Sequence, residues 1–206
     1  MAVSGEDVVV AGCESNGAHS VAKIWRNGVA TALTGGLSEA RACAVVVDGG
    51  IVRVAGYEVV DGVRVARVWT DGVAQTLGDP RVPSEAYAIA VSGGDVRVAG
   101  IQMVDGPYRA VVWKNGLAVP LTEGPEGSEA LSVCVSGKDV YGAGKTFAGG
   151  PARAVVWKNG TAIPQSDATG AACAGGLAGR DMYFGGSVLE DAVITAVIWK
   201  NGSSRI

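Results

Sequence analysis

Three features predict an all-β protein built as a five-bladed β-propeller, with four antiparallel strands per blade. They are an evenly repeated tryptophan, a turn pair that follows it and a glycine that precedes it. The tryptophans are Trp25, Trp69, Trp113, Trp157 and Trp199, giving spacings of 44, 44, 44 and 42 residues. Two residues after each comes Asn27-Gly28, Asp71-Gly72, Asn115-Gly116, Asn159-Gly160 or Asn201-Gly202. Such a pair between apolar segments marks a hairpin, because a type I′ turn needs positive φ at both central positions. Thirteen residues before each tryptophan stands Gly12, Gly56, Gly100, Gly144 or Gly186, and three before it Ala22, Ala66, Ala110, Ala154 or Ala196.

The third repeat divides into four predicted strands, 85–91, 96–100, 109–114 and 117–122. Ser92-Gly93-Gly94-Asp95 makes its first turn and Asn115-Gly116 its last. β-Branched residues in period-2 alternation leave no stretch of helical periodicity. Units of ~40–50 residues have the size of a propeller blade, whereas a β-trefoil needs three such units and a β-helix turns over in far fewer residues. Ala110-Val111-Val112-Trp113 is apolar at every position, as expected of a strand covered on both faces. The repeats span approximately 1–38, 39–82, 83–126, 127–170 and 171–206 as one domain. The first begins partway through its pattern and the fifth stops within its fourth strand. A longer natural protein is therefore expected, as is a thinner junction between repeats five and one.

Composition agrees with a globular chain rich in tight turns. Of 206 residues, 48% are apolar, 18% are charged and 32 are glycine. The net charge of −3 comes with no basic block, which argues against a nucleic-acid or anionic-membrane partner. No apolar run is long enough to span a bilayer and the chain opens with no signal peptide, so the compartment is left open.

The unit Ser84-Glu85-Ala86, Val96-Arg97-Val98-Ala99-Gly100 and Ala110-Val111-Val112-Trp113-Lys114-Asn115-Gly116 resembles a repeat of largely uncharacterised bacterial β-propeller proteins. The resemblance covers essentially the whole chain. It is looser at Trp69-Thr70-Asp71-Gly72 and at Trp25-Arg26-Asn27-Gly28, and it implies a fold without an agreed activity. In blade number and length the chain is also similar to the five-bladed tachylectin type of propeller, which binds amino sugars between blades. That likeness is one of architecture and assigns no residue.

Residue chemistry argues against catalysis. The one histidine, His19, falls in the connection between the second and third strands of repeat one, so neither a multi-histidine metal site nor a rigid Ser-His-Asp arrangement is available. Cys13, Cys43, Cys134 and Cys173 form no C-x-x-C pair, and Cys43 and Cys173 alone share a repeat offset. All four are expected as small buried hydrophobes. The tryptophans, flanked by Val or Ile and opposite small residues, are expected to fill the space between blades and not to act as sugar platforms.

Two sets of residues are candidates for binding. Glu39, Glu85 and Glu129 recur in Ser-Glu-Ala openings and are expected either to form an acidic arc that holds a cation or to cap turns or pair with Arg. Sixteen residues before each tryptophan stand Val9, Arg53, Arg97, Tyr141 and Tyr183; the last four are candidates for lining inter-blade clefts, or else cover apolar surface. Asp7, Asp95, Asp139 and Asp181 form a further row, read as turn chemistry. Loops between second and third strands vary from repeat to repeat. The sequence thus predicts a non-catalytic binding or scaffolding module, without a cofactor, that meets a protein or other ligand through its variable loop face. The alternative is a multivalent carbohydrate-binding lectin with sites between blades.

Overall fold

The computed structural model describes residues 1–178, 181–201 and 204–205. Gly202 of the fifth turn pair, and Ser203 and Ile206 of the last predicted strand, lie outside them. The protein is all-β. Repeat one forms a sheet of β1 (Ala2–Ser4), β2 (Asp7–Ser15), β3 (Ser20–Arg26) and β4 (Val29–Ala32) in sequential order. Repeat two forms a second from β5 (Ala40–Asp48), β6 (Ile51–Val60), β7 (Val63–Thr70) and β8 (Val73–Thr76). Repeat three forms a third from β9 (Ser84–Ser92), β10 (Asp95–Met103), β11 (Tyr108–Lys114) and β12 (Leu117–Pro120), close to the predicted bounds.

The last two repeats depart from the expectation of separate blades. β13 (Ser128–Ser136), β14 (Asp139–Thr146), β15 (Arg153–Lys158), β16 (Thr161–Ala178), β17 (Asp181–Glu190), β18 (Val193–Lys200) and β19 (Ser204–Arg205) make one seven-stranded sheet. Its long strand β16 is bipartite. Thr161 to Pro164 pair with Lys158 to Val155 as the fourth strand of repeat four, while Thr169 to Ala178 pair with β17 as the first strand of repeat five. Thr169 also pairs with Arg153, and the Gly170 amide donates to the Ala152 carbonyl, which joins the two sheets. The physical reason is in the link. Earlier repeats turn through Gly35-Gly36, Asp79-Pro80 and Gly124-Pro125, whereas Gln165-Ser166-Asp167-Ala168 has neither glycine nor proline and belongs to the one period that is two residues short.

Within each repeat the turns follow from residue chemistry. Asn27, Asp71, Asn115 and Asn159 have φ of 46–51°, and the following glycines 84–90°, as a type I′ turn demands. A side-chain staple then ties this hairpin back to the first turn of the same repeat. In repeats one, three, four and five the asparagine Oδ1 accepts from the amide of Val8, Val96, Val140 or Met182, and its Nδ2 donates to Asp7, Asp95, Asp139 or Asp181. The same aspartates pair with Arg26, Lys114, Lys158 and Lys200. Hydrogen bonds from Arg26, Asn115, Lys158 and Lys200 respectively lead the interactions that hold these carboxyls below the usual range.

The repeated glycine has a steric cause. First strands carry a one-residue bulge, between Ala42 and Ala44, Ala130 and Ser132, and Ala172 and Ala174. The bulge turns a carbonyl onto the glycine opposite: a Cβ at Gly56 would lie 1.9 Å from the Arg41 oxygen, and one at Gly144 1.9 Å from the Glu129 oxygen.

Core packing joins successive repeats. Val9 and Ala22 of repeat one pack with Ala40, Ala42, Val45, Val52, Val54 and Trp69 of repeat two, and Ala143, Ala154 and Val156 of repeat four pack with Phe184, Val197 and Trp199 of repeat five. Trp69, Trp113, Trp157 and Trp199 are buried and Trp25 is half-buried. A hydroxyl adds a polar joint. The ladders of β4 and β8 end opposite Lys23 and Arg67, one residue short of the repeated alanine, and the buried Ser84 accepts from the Ala66 amide while the buried Ser128 accepts from that of Ala110. Ser84→Ala leaves a buried amide without an acceptor, so it should cost about 1–3 kcal/mol in denaturant melts. An unchanged midpoint would show that the joint contributes nothing.

The chain divides into two compact units, Met1–Val98 with Trp113–Ala118, and Ala99–Val112 with Val119–Ile206. Each has an apolar face less covered than its register equivalents. In the first, Val10 is 38% exposed where Val54 is 1%. In the second, Ile198 is 49% exposed where Val156 is 0%.

Candidate functional site

A polar cavity of about 640 Å³ lies in the first unit. Its position follows from register. Tyr57 and Arg64 flank the β6–β7 hairpin, with Tyr57 opposite Ala66 and Arg64 opposite Val59, so the cavity opens near the variable connections between second and third strands. Cys13 follows Gly12 as Tyr57 follows Gly56, and Cys43 holds the bulge of β5 that Tyr87 matches one period later. The wall is therefore built from repeated positions occupied by different side chains.

Glu85 organises the polar groups. Its Oε1 accepts from Arg64 Nη1 at 2.7 Å, its Oε2 from the Tyr87 hydroxyl at 3.3 Å, and the Arg64 guanidinium lies 5.3 Å from the centre of the Tyr57 ring. Arg41 is exposed and has no carboxylate partner among the described residues. Two guanidinium groups against one carboxylate leave the cavity with a net positive charge, suited to an anionic or neutral polar ligand. Burial pushes the Cys43 thiol up to about 11, so it stays protonated and is a poor nucleophile at neutral pH. Burial also raises the Tyr57 phenol.

The three glutamates of the Ser-Glu-Ala openings do not share a register. Arg41 pairs opposite Tyr57 as Glu129 pairs opposite Lys145, whereas Glu39 lies before β5. The opening of repeat two sits two residues further from its tryptophan than those of repeats three and four, so the row reads Arg41, Glu85, Glu129. Each glutamate has a basic neighbour: Glu39 has His19 at 3.7 Å, Glu85 has Arg64, and Glu129 has Lys145 at 3.2 Å. No group of three His, Cys, Asp or Glu residues placed to hold a metal ion occurs among the described residues.

The second candidate row divides. Arg53 lines a cleft of about 210 Å³ within the first unit. Arg97 is held by Asp95 at 3.1 Å. Tyr141 and Tyr183 lie beneath Lys158 and Lys200, whose ammonium groups stand 5.4 and 5.6 Å from the ring centres. Comparison of the chain with family models and with curated proteins gives no match.

The expectation that the cysteines are fully buried is corrected. Cys13 and Cys173 are exposed and Cys43 and Cys134 half-buried. Cys43 and Cys173 occupy bulges, where the extra residue leaves the ladder, which is why they share an offset. Sequence reasoning missed Tyr57, Arg64 and Tyr87. The signal available was a set of polar and aromatic residues at positions fixed relative to the repeated glycine and tryptophan, where no other repeat carries the same residue.

Proposed function

We propose that the chain is a non-catalytic, five-bladed β-propeller binding module whose ligand enters the polar cavity of Arg41, Tyr57, Arg64, Glu85 and Tyr87. The observation that carries this reading is the cavity itself: aromatic walls, an Arg64–Glu85 pair and an unpaired Arg41 beside the variable connections. Five repeats of one blade-sized pattern support the ring. The fused sheet of repeats four and five is compatible with two blades, because β16 serves each through a separate segment.

A lectin with up to five sites is the second reading, favoured only by the cleft that Arg53 lines. Four of the five tryptophans are buried and offer no stacking platform, and the cavity walls are not repeated. Calorimetric titration of a glycan selected on an array distinguishes the two. The proposed module binds one ligand per chain, or no glycan at all; four or five equivalent sites would reverse the ranking.

A further inference from the structure

The row of Arg53 sets repeat two apart. The other repeats each close their last hairpin with an Asp–Arg or Asp–Lys pair, of Asp7, Asp95, Asp139 or Asp181. In repeat two both members are replaced together, the acid by Ile51 and the base by Thr70. Arg53 stands beside this gap. Its equivalent Arg97 donates from Nη2 to Asp95 at 3.1 Å, whereas Arg53 makes no hydrogen bond or ion pair among the described residues; Nη1 is buried without a partner in both. A guanidinium that lines a cleft without an anion attracts one, and the partner the next repeat gives this position is a carboxylate.

The cleft before Arg53 supplies no such group. Its walls are apolar at Val68, Leu77 and Val98 and polar at Thr70 and Gln75, and it shares no lining residue with the cavity of Arg41. Its volume of about 210 Å³ has room for roughly seven water-sized groups. We infer that this cleft is a binding site for a short aliphatic carboxylate. The carboxylate sits beside Arg53 as Asp95 sits beside Arg97, with the Thr70 hydroxyl and Gln75 amide as further donors, and the alkyl chain lies against the three apolar walls.

Butyrate titrated into the full chain, followed by ¹H–¹⁵N spectra and with 1-butanol as control, tests this. Butyrate should give saturable shifts at the amides of Thr70, Val96 and Val98, and 1-butanol should not. Arg53→Gln should weaken binding by about tenfold or more, the loss expected for a charge-assisted hydrogen bond. Ile51→Asp restores the acid found in the other repeats at an exposed position, so it should abolish butyrate binding in a folded chain. Arg97→Gln should leave binding unchanged. Absence of saturable shifts at about 0.1 M butyrate, equal shifts with 1-butanol, or undiminished binding in Ile51→Asp would each overturn the proposal. Shifts at Tyr57 and Tyr87 report on the other cavity, so the two sites succeed or fail separately.

Discussion

Replacing Gly144 by alanine should destabilise the protein by about 3 kcal/mol or more, at the upper end of what overpacking costs. The added methyl would meet the Glu129 carbonyl oxygen at 1.9 Å, and this oxygen belongs to backbone held by β13–β14 pairing. The strand cannot yield without losing the bulge that aims the rest of β13. Gly176→Ala is the control: its methyl meets nothing within 4 Å, so its melting curve should stay close to that of the parent. Similar melting of the two variants would mean that the repeated glycine is kept for a reason other than space.

Trp69→Ala should cost about 3–5 kcal/mol, the usual range for truncating a buried aromatic. The indole is fully buried and packs in a cluster that includes Val9 and Ala22 from the preceding repeat, so its loss opens a void at a junction between repeats. For a chain of this length that corresponds to a fall in Tm of roughly 6–20 °C. A platform for a sugar ring would behave in the opposite way, with the melting curve preserved and binding lost.

The strands and turns were legible in the sequence because their causes are local. Asn-Gly after each tryptophan dictates positive φ, and alternation fixes which residues face inward. Four features were hidden for different reasons. The opening Ser38-Glu39-Ala40 matches its siblings in letters but not in distance from the tryptophan, and only strand pairing shows that Arg41 takes the place of Glu85 and Glu129. The fusion of repeats four and five depends on what Gln165 to Ala168 lack, and a missing turn signal is weaker than a present one. The exposure of Cys13 and Cys173 and the gathering of Tyr57, Arg64 and Tyr87 arise from contacts between residues distant in sequence. The gap beside Arg53, by contrast, stood in the alignment of the repeats as the paired change to Ile51 and Thr70.

The most direct test of the binding account is a crystallographic fragment screen with sugars, amines and short carboxylates soaked into the intact chain. The account predicts that polar fragments larger than butyrate collect in one place, against Tyr57, Arg64, Glu85 and Tyr87, with a negatively charged group turned to Arg41. Density repeated at equivalent positions of four or five repeats, with the Arg41 cavity empty, would contradict it.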